Sequence, residues 1–131
     1  MKKFFKVFLT TLTSIMLFSG CSPMNRKATY KSVEQEEAKR IMRENDGYII
    51  LDVRREDEFN QAHIPGAICV PNETILNEMP KELPDKEQMI LVYCRSGNRS
   101  KQAAQKLADM GYKNIIEFGG IMTWTGETVS E

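Results

Sequence analysis

One histidine and three cysteines in 131 residues is a small stock of soft ligands, and it excludes a class of chemistry. A structural zinc site takes about four Cys or His ligands at close, regular spacings. Cys21, Cys69, Cys94 and His63 are scattered along the chain and form no such set, so no metal is expected. Basic runs are also lacking: Lys and Arg total 18, Asp and Glu total 18, and the formal net charge is zero. Nucleic-acid binders carry a basic patch or stripe, so no nucleic-acid partner is expected. No apolar run reaches the roughly 20 residues that a spanning helix needs. Internal repeats and low-complexity stretches are absent too.

The first residues carry an address instead. Lys2, Lys3 and Lys6 precede Val7 to Phe18, an uncharged and mostly apolar run of 12 residues. A basic start, a short apolar core and small residues after it form the pattern of a secretory signal peptide. The segment closes on Ser19-Gly20-Cys21, and small residues directly before a cysteine resemble a lipobox, the processing signal of bacterial lipoproteins. That resemblance implies cleavage before Cys21 and lipidation of Cys21, with the protein outside the cytoplasm and lipid-anchored to the bacterial cell membrane. The expected organisation is a signal peptide over 1–20, a polar tether over 21–29 and one domain over 30–127. Without the three leader lysines, 15 basic and 18 acidic residues remain, a net charge of −3. The remaining length is enough for one hydrophobic core without obligatory disulfides or metal.

Strand and helix patterns alternate along that domain. Tyr30 to Ser32 is a short first strand. Ser32 with Gln35 has the spacing of a capping box, which predicts a helix over Val33 to Glu44 ended by Asn45-Asp46-Gly47. Tyr48 to Val53 and Met89 to Tyr93 are continuous apolar runs of the kind found in strands covered on both faces. Arg55 to Gln61 reads as a short helix, Ala67 to Val70 as a short strand and Glu73 to Met79 as another helix. A helix over Arg99 to Met110, capped by Gly111, leads to a last strand over Asn114 to Phe118. Gly119-Gly120 then opens a short helical segment ending near Trp124. The class is α/β, with a mainly parallel central sheet and helices on both faces.

Chemistry concentrates in Cys94-Arg95-Ser96-Gly97-Asn98-Arg99-Ser100. Cys94 follows a buried strand and precedes a helix, the place where open α/β sheets bind ligands. The loop aims backbone N–H groups and the positive end of a helix dipole at its own centre. Gly97 permits a tight curl, and Arg95 and Arg99 add permanent positive charge. These features favour the thiolate form of Cys94 and an incoming oxyanion.

This loop resembles that of single-domain rhodaneses, the thiosulfate sulfurtransferase-like family. Leu51-Asp52-Val53-Arg54 with Glu58-Phe59, then His63-Ile64-Pro65-Gly66-Ala67, and finally Gly119-Gly120 with Trp124, resemble three further signatures of that family in the family's order. The resemblance implies a rhodanese-like fold and a sulfurtransferase without cofactor. Cys94 would take a sulfane sulfur from a small anionic donor such as thiosulfate, as a persulfide, and pass it to a thiol or cyanide. It also implies that backbone N–H groups of Arg95, Ser96, Gly97, Asn98, Arg99 and Ser100 cradle the persulfide. Arg95 and Arg99 would hold the donor, and Arg54 would stand beside the loop, paired with Asp52 or Glu58. Phosphatases of related fold use a loop one residue longer between cysteine and arginine, so the spacing here favours sulfur over phosphate.

Cys69 reads as a buried inert thiol. Its alternative is a resolving partner for an oxidised Cys94, which would make the chain an extracytoplasmic thiol redox or persulfide-relay protein with a thiol-redox protein partner. His63 reads as a turn histidine bonded to backbone rather than a general base, and Trp124 as packing rather than a substrate contact.

Overall fold

The computed structural model describes residues 27–131. The leader expected over 1–20, the lipidation site Cys21 and most of the tether expected over 21–29 lie outside the described residues. Among the described residues no helix is long and apolar enough to cross a membrane.

Five strands form one sheet: β1 (Lys31–Ser32), β2 (Ile49–Asp52), β3 (Ile68–Cys69), β4 (Met89–Cys94) and β5 (Asn114–Gly120). Their spatial order is β1-β5-β4-β2-β3, and every pairing is parallel. Parallel neighbours need crossover connections, and three helices supply them in part: α1 (Gln35–Glu44), α2 (Glu56–Gln61) and α3 (Asn98–Asp109). The central strand β4 explains the continuous apolar run in the sequence. Ile90, Val92 and Cys94 bury on one face, against Ala103, Ala104 and Leu107 of α3. Leu91 and Tyr93 bury on the other, with Ala38 and Ile41 of α1 and Phe59 of α2. Successive side chains of a strand point to opposite faces, so a strand covered twice has no polar alternation. Each of these large side chains contributes roughly 1.5–3 kcal/mol through burial.

Several expectations change. Ser32 does not cap α1: the capping position is Glu34, without a side-chain hydrogen bond. Ser32 belongs to β1, and its hydroxyl donates to the Glu117 carboxylate at 3.0 Å. Gln35 donates instead to the Gly120 carbonyl at 2.7 Å. The helix expected over Glu73 to Met79 is absent, and only a 3-10 turn at Asn72–Thr74 forms nearby. Ile75 buries completely while Leu76 and Met79 stay exposed, so the segment has no apolar stripe to hold a helix on the core. The folded unit also continues past 127, because Val129 pairs with His63 and the Glu131 N–H donates to the Asn60 carbonyl. Gly111 stands after α3 at φ +97°, as a cap there requires.

Candidate active site

Cys94 is the last residue of β4 and is 1% exposed. The chain turns immediately after it, and Gly97 takes φ +110° at the capping position of α3. A side chain other than glycine's rarely adopts that dihedral, so the curl depends on this residue. The turn brings the Gly97 N–H to 3.0 Å from the Cys94 Sγ. The Ser100 Oγ, one turn into α3, lies 3.4 Å from the same sulfur. The sulfur therefore has a backbone donor, a hydroxyl and the start of a 12-residue helix directed at it. Of the six N–H groups expected to cradle it, Gly97 makes the direct contact. Arg95, Ser96 and Asn98 are exposed.

The loop rests on the end of β5. Gly120 pairs with Cys94 across the sheet, and a Cβ built on Gly120 would lie 2.0 Å from the Arg95 carbonyl oxygen. The Met122 N–H then donates to that carbonyl at 3.1 Å. Gly120 thus permits close approach of two backbones.

Four arginines, Arg54, Arg55, Arg95 and Arg99, line a cleft of about 500 Å³ beside the loop, together with Glu58 and the exposed Met122. Their environments differ. Arg54 is 5% exposed and is held by Asp52, which accepts from Nη2 at 2.7 Å and from Nε at 3.1 Å. Its Nη2 also donates to the Ala62 carbonyl at 2.6 Å. The sequence left Asp52 and Glu58 open as partners of Arg54, and Asp52 takes the role. Glu58 pairs with Arg99 in a two-pronged contact at 2.8 and 3.0 Å, which holds the Glu58 carboxyl below the usual carboxylate range. Arg55 pairs with Asp57 at 3.0 Å. Among the described residues Arg95 alone of the four makes no ion pair. Four guanidinium groups against Asp52, Asp57 and Glu58 leave one net positive charge at the cleft. Arg95 and Arg99, expected to act together, thus differ: among the described residues Arg95 has no carboxylate partner and Arg99 is engaged by Glu58.

His63 is 4% exposed, places Nδ1 2.8 Å from the Phe59 carbonyl and stacks on the Phe59 ring. It packs with the helix α2 side of the sheet, away from the sulfur's face, as a backbone-bonded turn histidine does. Trp124 packs on Phe118 and donates to the Glu127 carbonyl.

Cys69 does not reach Cys94. Asp52 of β2 is paired with Cys69 on one side and with Tyr93 on the other. Two strand spacings, roughly 9–10 Å, therefore separate Cys69 from Tyr93. Cys94, the next residue, points to the opposite face. A disulfide needs Cα atoms closer than about 7 Å with side chains facing each other. The intramolecular resolving role for Cys69 is thereby corrected. Burial pushes the Cys69 thiol up to about 11, in keeping with an inert thiol.

One residue escaped the sequence reading. Glu117 of β5 is 2% exposed, and its Oε1 stands 2.7 Å from the Ser100 Oγ. The available signal was its register: Ile115 and Glu117 share the α3 face of β5, where an acid is out of place among apolar neighbours.

Comparison with known proteins agrees with this geometry. The family model described as the rhodanese-like domain matches residues 34–127. This chain belongs to the rhodanese-like family. Its class is that of a rhodanese-type sulfurtransferase. The thiosulfate sulfurtransferase PspE of Escherichia coli is 35% identical over 71 residues, covering 54% of this chain and 68% of PspE. The thiosulfate sulfurtransferase GlpE of Coxiella burnetii is 33% identical over 96 residues, covering 72% of this chain and 87% of GlpE. A solved rhodanese with anions from E. coli superposes with a TM-score of 0.59 at 31% identity, covering 64% of this chain and 99% of that one. Other relatives are longer: the chain spans 21% of the adenylyltransferase and sulfurtransferase UBA4 of Meyerozyma guilliermondii. The rhodanese-like α/β fold expected from the sequence is the fold observed.

Proposed function

We propose that the rhodanese domain transfers a sulfane sulfur from a small anionic donor such as thiosulfate to a thiol or cyanide, carrying it on Cys94. The observation that supports this most is the sulfur of Cys94 at the floor of a short loop, 3.0 Å from the Gly97 N–H at the start of α3. In the first step the Cys94 thiolate attacks the outer sulfur of thiosulfate. A Cys94 S–S bond forms, the donor's S–S bond breaks, and sulfite leaves with the electron pair. In the second step the acceptor attacks the outer sulfur of the persulfide, and the Cys94 thiolate is regenerated. Arg95 at the cleft is suited to the donor's sulfonate end, because among the described residues no carboxylate pairs with it. The loop has four residues between Cys94 and Arg99, a narrow cradle suited to one sulfur atom. The leader pattern supports, as part of the same proposal, a Cys21 lipid anchor and a site facing away from the cytoplasm.

Intact-mass spectrometry before and after thiosulfate tests the carrier role. The expected result is the gain of one sulfur atom on Cys94, discharged by cyanide. Cys94→Ser should lose both the gain and all turnover while keeping its circular dichroism and its Tm within a few degrees. Sulfur transfer persisting in Cys94→Ser would refute the proposal.

A further inference from the structure

The cleft beside the loop is larger than a donor such as thiosulfate needs. Its volume of about 500 Å³ lies within the roughly 300–1,000 Å³ of sites that enclose whole small molecules. The start of α2 supplies Arg55 to it, the turn after β4 supplies Arg95, and the end of β5 leads into Ile121 and Met122. Its cations are not equally available. Arg54 is buried against Asp52, and Arg99 is held by both oxygens of Glu58. The Arg55 side chain is 61% exposed and its partner Asp57 is 62% exposed, so water screens the pair and it holds Arg55 weakly. Arg55 and Arg95 are therefore the two cations of the cleft that an incoming anion can engage. Met122, 65% exposed, adds an apolar surface that thiosulfate has no carbon to use.

Cys94 is 1% exposed, and a persulfide carries its outer sulfur only about 2 Å beyond Sγ. An acceptor must therefore bring its thiol in on a narrow chain rather than on a broad folded surface. We propose that Arg55 selects the acceptor, favouring a thiol borne on a carbon chain that carries a carboxylate. The carboxylate pairs with Arg55 and the chain lies on Met122. Arg95 is vacated when sulfite leaves, so both cations face the acceptor in the second step. The acceptor reacts as its thiolate, having given its proton to solvent, and attacks the outer sulfur of the Cys94 persulfide. A bond forms from the acceptor sulfur to that outer sulfur, the bond from the outer sulfur to Sγ breaks, and its electron pair restores the Cys94 thiolate. The acceptor leaves as a persulfide. Arg55 meets the charged end of the acceptor and not the reacting atoms, so it determines specificity. A free thiol acid and a cysteine in a flexible acidic peptide segment share the chemistry that Arg55 recognises.

This inference rests on Cys94 carrying the sulfur, as proposed above. The full chain is loaded with thiosulfate, desalted and discharged to acetyl-Glu-Cys-Leu-amide, acetyl-Lys-Cys-Leu-amide, mercaptosuccinate or cyanide at low salt, and the loss of sulfur is followed by intact-mass spectrometry. The charge beside each thiol alters its intrinsic reactivity, but that cancels when the acidic-to-basic rate ratio is compared between variants. Arg55→Glu should lower the ratio by about tenfold, because an attraction becomes a repulsion. Arg55→Gln, which removes the charge without reversing it, should give about half that shift on a logarithmic scale. Lys81→Glu makes the same change of charge on an exposed residue outside this cleft and should leave the ratio in place. A ratio unmoved in both Arg55 variants, or moved as far by Lys81→Glu, would overturn the inference. Mercaptosuccinate discriminates the source: slowing with the acidic peptide in Arg55→Glu assigns a free thiol acid, and slowing of the peptide alone assigns a peptide segment. Loading and cyanide discharge with an unmoved ratio would overturn the Arg55 reading and leave the proposed function standing. A Cys94 that takes up no sulfur would remove both.

Discussion

Replacing Gly120 by alanine adds one methyl group at the contact between β5 and the sulfur-bearing loop. Its Cβ would lie 2.0 Å from the Arg95 carbonyl oxygen, 2.3 Å from the carbonyl carbon and 2.5 Å from the Ser96 nitrogen. These are backbone atoms and cannot rotate away. Restoring even a tight contact of 3.0 Å requires a displacement of about 1 Å between β5 and the loop. That movement disturbs the Met122 N–H to Arg95 carbonyl bond and the Gly97 N–H to Cys94 Sγ contact of 3.0 Å. Overpacking of this kind costs roughly 1–3 kcal/mol of stability. A misplacement of about 1 Å in a reacting geometry costs on the order of 100-fold in rate. Gly120→Ala should therefore lower sulfur transfer from thiosulfate to cyanide by about 100-fold, with only a modest fall in Tm, since the clash lies at one end of the sheet. Turnover and a melting curve on the same preparation suffice. Wild-type turnover together with an unchanged Tm would refute the argument that this backbone approach fixes the loop.

Arg95→Ala should raise KM for thiosulfate more than Arg99→Ala does, because Arg95 has no carboxylate partner and Arg99 is bound to Glu58. Equal effects in steady-state kinetics would show that Arg99 releases Glu58 on donor binding. The same pair has a pH signature. Arg99 lowers the folded-state pKa of Glu58, so its contribution is present above the unfolded carboxylate pKa and is lost as pH falls through the folded value. Urea melts should show Arg99→Ala less stable at pH 7 by about 1 kcal/mol, with the difference vanishing at the acid end. Cys69→Ser should keep full sulfur transfer, and oxidation of the parent chain should give no Cys69–Cys94 disulfide; finding that link by peptide mapping would contradict the sheet register.

The loop from Cys94 to Ser100 was legible because its chemistry is contiguous in the chain. Strand, cysteine, glycine, two arginines and helix follow one another, and local geometry assembles them. The double covering of β4 was legible for a similar reason, since an unbroken apolar run leaves no face for solvent. The pairing of Arg54 with Asp52 stood open against Glu58. It is decided by the Asp52 side chain accepting from both the Arg54 backbone N–H and its guanidinium, while Glu58 is taken by Arg99 across 41 positions of sequence. The failed capping box at Ser32 has the same origin. Its hydroxyl is captured by Glu117, 85 residues away, once β1 pairs with β5.

The sequence alone determined the α/β class, the place of Cys94 at a strand's carboxyl end, and the family. Those depend on short-range pattern and local backbone geometry. The tertiary structure decided which arginine is free for an anion, that Cys69 and Cys94 stand on opposite faces of the sheet, and that a buried carboxylate sits two hydrogen bonds from the sulfur. Each of these depends on which strands become neighbours. In a sheet ordered β1-β5-β4-β2-β3, that is set by burial of the whole core rather than by any local run of residues.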